Sequence, residues 1–182
     1  MMESLDLNDL SIDKPERPGW STTFGRAFAE AASVCLEQQN HTSSVTLNVG
    51  GEKQCDYELS WSNVDDTMRR FHADVQRNHE FGAYAVSALL VPKLTNLTVI
   101  EVSVKGTGFD FWLGAVNDPG LLFQRKARLE VSGIGKGSES DIKARVSKKL
   151  RQITPSDGSF PGYVAVVEFS SPHLHLVKKC KT

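Results

Sequence analysis

Residues 108–132 read GFDFWLGAVNDPGLLFQRKARLEVS. FDFWLG (109–114) and RKARLEVSGI (125–134) read as successive strands, separated by a loop around Asn117-Asp118-Pro119-Gly120. Each strand carries one acid in an apolar setting, Asp110 and Glu130. An ionised carboxylate is costly to bury without a partner, so two such acids in consecutive strands need an explanation. Strand side chains alternate faces. Asp110 then shares a face with Trp112, opposite Phe109, Phe111 and Leu113, and Glu130 shares one with Arg128 and Ser132. Pairing the strands as neighbours puts both carboxylates in one pocket. Otherwise Asp110 faces solvent and Glu130 pairs with Arg128 or Lys143.

The flanking sequence supplies the rest of the fold. LTVIEVSVK (97–105) is a preceding strand, with Ile100, Val102 and Val104 on one face and Gly106-Thr107-Gly108 as the turn. Upstream, Ser62 and Asp65 form a capping-box-like start to a helix that carries Val64, Met68, Phe71 and Val75, breaks near Asn78-His79 and runs to Pro92. Downstream, Ser138 and Asp141 open another helix, with Ile142, Val146, Leu150 and Ile153 in one stripe and Pro155 beyond it. YVAVVEFSS (163–171) is the near-continuous apolar run of a strand covered on both faces, and HLHLV (173–177) adds an edge strand. Before residue 62 come a helix over 21–38, with Phe24, Phe28, Ala31 and Cys35 in one stripe, and a hairpin over 44–61 turning at Gly50-Gly51. The predicted class is mixed α/β: a central mixed sheet flanked by helices, with an α-β-β-β-α-β core over 62–170. The strand–helix–strand unit near the end implies a parallel pair.

Two or three converging oxygens are what Mg²⁺ takes from a protein, with waters and substrate phosphates in the remaining positions. Such an ion polarises a phosphodiester and generates hydroxide. Glu80, in the helix just before the close-packing Gly82-Ala83, is a third acid. This combination resembles the restriction-endonuclease-like, PD-(D/E)XK nuclease superfamily: Glu80-Phe-Gly-Ala on a helix, Gly-Phe-Asp110 on one strand, Glu130-Val-Ser132 on the next. The resemblance implies that Asp110 and Glu130 hold a divalent ion and act in catalysis, with Glu80 as a further ligand. It also implies a lysine two residues after the second acid, where this chain has Ser132. Arg128, on the same face, and Lys143, on the following helix, are the candidate replacements. A setting in DNA processing or defence goes with that family.

The chain has 182 residues, 40% of them hydrophobic, which suits one domain with a real core over 21–182. Residues 1–20 are acidic, end among Pro15 and Pro18, and read as a flexible leader without a secretory signal. No apolar run reaches the roughly 18 residues of a membrane span. Cys35, Cys55 and Cys180 are too few and too scattered for a disulfide framework, which suits the cytoplasm. Net charge is −1, but residues 124–182 hold twelve Lys/Arg against five acids. Lys126, Lys136, Arg145, Lys148 and Lys149 are therefore candidate phosphate contacts for a nucleic acid.

Gly133-Ile-Gly135-Lys-Gly137 looks like a phosphate cradle between strand and helix, but Ser138 stands where a dinucleotide fingerprint needs glycine. His173 and His175 alternate on a strand without completing a zinc ligand set. Two functions are expected from these features: a Mg²⁺-dependent nuclease, or the same scaffold without catalysis, serving as an adaptor or a subunit in a hetero- or homo-oligomer.

Overall fold

A computed structural model describes residues 2–116, 123–156, 158 and 160–179. The loop expected at 117–120 and Cys180 lie outside them. The described elements are β1 (Glu3–Asp6), α1 (Thr22–Gln38), β2 (Ser44–Gly51), β3 (Cys55–Ser60), α2 (Asp66–Phe71), α3 (Val75–Thr95), β4 (Leu97–Val102), β5 (Phe111–Ala115), β6 (Ala127–Ile134), α4 (Glu139–Gln152), β7 (Gly162–Glu168) and β8 (His173–Lys179). Short 3₁₀ turns follow β1 (Leu7–Ser11) and α4 (Thr154–Ser156). The strands form one mixed sheet in the order β1-β3-β2-β8-β7-β6-β5-β4.

Strands β4, β5 and β6 form an antiparallel meander, and α4 carries the chain over to β7, which runs parallel to β6. Helices α1 and α3 cover one face, over a core that includes Leu36, Leu90, Leu113, Leu129, Val167 and Leu174. Helix α4 covers the other, where Ile142, Val146 and Ile153 meet Val164 and Val166. Alternate residues of β7 thus serve both cores, and all seven are buried. The Ser138–Asp141 capping box starts α4 as its sequence predicts.

Five local expectations change. The segment 62–92 holds two helices, not one broken near Asn78. Asp65 caps α2 by accepting from Met68 N–H, and Asp74 caps α3 by accepting from Arg77 N–H, so the break falls at residues 72–74. Asn78 is buried inside α3 and donates to the Ala31 carbonyl of α1. Pro92 does not end α3. A proline lacks only its own donor, and its carbonyl still accepts from Asn96 N–H, where the chain turns left-handed at φ 59°.

The strand at HLHLV is not at an edge. β8 lies between β7 and β2, pairing antiparallel with one and parallel with the other. Alternation in sequence reports which faces are wet, not which edges are paired.

The first residues are built into the fold rather than forming a leader. β1 pairs parallel with β3, and Leu5, Leu7 and Leu10 enter the main core, the last two at 0% exposure.

Phe24, Phe71, Val102 and Val104, read as core-facing from periodicity, are all exposed.

Candidate functional site

The site forms where β5 and β6 part. Their pairing ends at Phe111 opposite Leu129. One residue earlier, the Asp110 N–H still donates to the Leu129 carbonyl, 2.9 Å away. The next free donor on β6, Val131 N–H, is then taken by the Asp110 carboxylate (Oδ2, 2.8 Å) instead of a strand carbonyl. The Asp110 side chain thus stands in for missing backbone at the fork, a place open to groups from both faces of the sheet. Since β5 begins at Phe111, strict alternation does not extend back to Asp110. Phe109 packs against Trp112, 4.8 Å between ring centroids, on the α4 face, although sequence alternation puts them on opposite sides.

From the α3 side, the Tyr84 hydroxyl lies 3.0 Å from Asp110 Oδ1 and 2.7 Å from Glu80 Oε1. Glu80 and Tyr84 are one helical turn apart, so α3 presents both together. Helix α3 comes this close because Gly133 of β6 has no side chain: a methyl there would lie 1.9 Å from the His79 carbonyl oxygen. Gly135 likewise receives the His79 ring. The glycine run read as a phosphate cradle is a packing seat for α3.

From the α4 side come Lys149 and Gln152, again one turn apart. Lys149 Nζ sits 2.5 Å from Glu130 Oε1, and Gln152 Nε2 donates to the same oxygen at 2.8 Å and to the Gly108 carbonyl at 3.2 Å. Glu130 is only 2% exposed and lies within electrostatic reach of Asp110. Burial first, then the Asp110 charge, pushes the Glu130 carboxyl up to about 7, against the pull of Lys149. Burial also raises Asp110, although the Val131 N–H and the Tyr84 hydroxyl work against it. The Tyr84 hydroxyl is driven far upward by burial and by the adjoining Asp110 and Glu80, so it stays a proton donor.

The structure therefore brings together Asp110, Glu130, Lys149 and, through Tyr84, Glu80. It does not bring in Lys143, which pairs with Glu139 at 2.6 Å on the exposed side of α4. Arg128 is also engaged elsewhere. Buried at 3% exposure, its guanidinium donates to the Ile153 and Phe160 carbonyls and to the Ser156 hydroxyl, clamping the chain after α4. Ser132, in the place of the expected lysine, accepts from Arg145 Nη1 at 2.8 Å. Lys126 is exposed immediately before β6. Lys136, Arg145 and Lys148 line a separate shallow concavity of about 370 Å³ beside α4, with Asp141 at its rim.

Sequence reasoning placed Lys149 on a phosphate-contacting surface and missed Tyr84 and Gln152. Their signal was helical spacing: Tyr84 falls four residues after Glu80, and Lys149 and Gln152 fall three apart on α4.

Among the described residues no three His, Cys, Asp or Glu side chains form a metal-holding group. Asp110 and Glu130 lie close together, with Glu80 behind the Tyr84 hydroxyl. Two neighbouring acids, Glu130 buried and Asp110 half-buried, nevertheless fit the demands of Mg²⁺, which typically uses one or two carboxylates and completes its shell with water and phosphate. No protein-family model matches this chain, and no curated protein and no solved structure matches it at a significant level. Among the described residues no helix is long and apolar enough to cross a membrane.

Proposed function

We propose that this chain is a divalent-cation-dependent phosphodiesterase acting on nucleic acid, of the PD-(D/E)XK type, with Lys149 in place of the lysine absent at 132. The observation that carries the reading is the convergence of Asp110, Glu130 and Lys149 from β5, β6 and α4. The element order α3-β4-β5-β6-α4-β7 supports it.

Asp110 and Glu130 would hold Mg²⁺, which when bound supplies charge stabilisation and an acidified water. The chain's own groups do the positioning. Val131 N–H and the Tyr84 hydroxyl fix the Asp110 carboxylate and leave its other lone pairs available. Gln152 fixes Glu130 against Gly108. Lys149 brings an ammonium to the same oxygen, where charge on a transferring phosphoryl group is stabilised. Lys136, Arg145 and Lys148 would hold flanking phosphates through salt-sensitive contacts. Cys35 and Cys55 are free thiols, consistent with a reducing cytoplasmic setting.

Incubating the protein with single- and double-stranded DNA and RNA in Mg²⁺ or Mn²⁺ tests the reading. Cleavage is expected in wild type, and a loss of at least about a hundredfold in Asp110→Ala, Glu130→Ala and Lys149→Ala.

One observation favours a second reading. The Lys149 ammonium already gives Glu130 a counter-charge without a metal. A non-catalytic binding module would keep this ion pair as a structural element. No cleavage, with nucleic-acid or protein binding intact in the three variants, would select that reading.

A further inference from the structure

His173 and His175 lie two apart on β8, so both imidazoles project from the same face of the sheet, toward α4. Their rings are close to parallel, at 21°, with centroids 5.9 Å apart. The neighbouring strand β2 pairs in parallel register and puts Gly50 opposite His175. A methyl group at Gly50 would lie 3.1 Å from His173 Nε2 and 3.1 Å from His175 Nδ1. Two imidazole nitrogens thus converge on the space that the glycine leaves open.

We propose that this space is a binding site for a transition-metal cation of the Zn²⁺ or Ni²⁺ class, held by His173 Nε2 and His175 Nδ1. Imidazole nitrogen is a preferred ligand for these ions, at about 2.0–2.1 Å for Zn²⁺. Each nitrogen is at most twice 3.1 Å from the other, and rotation of the rings about their side-chain torsions brings both to one ion. The groups facing them suit a cation. Glu139, the first residue of α4, is within electrostatic reach of both rings, and Glu168 of His173, while Lys143 opposes. Burial keeps both imidazoles below the usual histidine range, which leaves them neutral and able to donate a lone pair at neutral pH. Water, or the Glu139 carboxylate on leaving Lys143, fills the remaining positions.

The site is on β8 and does not depend on the nuclease reading. An ion there would tie β8 to the first turn of α4 and raise the melting temperature.

Calorimetric titration of the full chain with ZnCl₂ at pH 7.5, with thermal melts in parallel, tests the proposal. A saturable event is expected in wild type and should persist in the Asp110→Ala/Glu130→Ala double variant, which removes any Zn²⁺ bound at the acidic pair. His173→Ala and His175→Ala should each weaken it by about tenfold or more. Gly50→Ala should weaken it while keeping both ligands, because its methyl crowds the space between the two nitrogens. Gly50 has no left-handed φ, so alanine fits its backbone. Circular dichroism checks that each variant is folded. No binding at about 1 mM by wild type, or affinity unchanged in any of the three β8 and β2 variants, would overturn the assignment.

Discussion

Glu130 lies close to Asp110 at the fork between β5 and β6, and its carboxyl receives the Lys149 ammonium at 2.5 Å. Two acids share a buried space with one cation, so the pair carries more negative charge than its surroundings neutralise. Burial, and then that imbalance, raises the carboxyl of Glu130 and makes it sensitive to pH, to mutation and to added cations.

The pH dependence has a definite sign. Glu130 titrates near 7 in the folded chain and at its ordinary value of 4.5 when unfolded. Between those values the folded state binds the extra proton, so stability falls as pH rises from about 4.5 to 7, then levels off. At about 1.4 kcal/mol per unit the loss is on the order of 3 kcal/mol. Urea denaturation at pH 5 and pH 8 should show it, and Glu130→Gln should remove most of the difference. An equal slope in Glu130→Gln would mean that other groups produce the effect.

Lys149 and Lys143 lie six residues apart on one helix yet should behave differently. Lys149→Met strips a nearly buried carboxylate of its cation and is expected to cost about 1–3 kcal/mol at pH 8, less at pH 5 where Glu130 is protonated. Lys143→Met breaks an exposed pair with Glu139 and should stay within about 0.5 kcal/mol. Cleavage activity should follow Lys149 and ignore Lys143.

Gly133→Ala tests how α3 is seated. The added methyl would meet the His79 carbonyl, so α3 has to shift, and Glu80 and Tyr84 shift with it. A loss of roughly 2 kcal/mol or more is expected, with weaker cation binding at the acidic pair. Gly106→Ala is a control: its surroundings are open, but its φ of 96° adds only local backbone strain far from α3.

Deleting residues 1–11 should destabilise the domain by several kcal/mol. It removes Leu5, Leu7 and Leu10 from the main core, each worth roughly 1.5–3 kcal/mol when buried. A truncated chain that melts with wild type would show that β1 and its 3₁₀ turn contribute little.

Much of this architecture is legible in the sequence because local signals state it outright. The Ser138–Asp141 cap, the apolar run of β7 and the 44–61 hairpin each follow from short patterns. The convergence of Asp110 with Glu130 also follows from strand adjacency. What could not be read depends on tertiary pairing. Nothing in LNDLS says that Leu7 and Leu10 enter a core made by residues from α1 and α3. The alternation of HLHLV is the same at an edge or between two strands. Arg128 and Glu130 share a face, but only the path of the chain after α4 decides that the guanidinium turns to Ile153, Ser156 and Phe160. Lys149 reaches Glu130 because α4 is long enough to bring its last two turns over the middle of β6.

The most direct test is the titration of the Glu130 side-chain carboxyl, followed by carbon-13 NMR with and without 10 mM Mg²⁺. A divalent ion between Asp110 and Glu130 competes with the proton on Glu130. The titration midpoint should therefore sit near 7 in its absence, drop by more than one unit in its presence, and become insensitive to Mg²⁺ in Asp110→Ala. A midpoint that Mg²⁺ leaves unmoved in wild type would contradict the account.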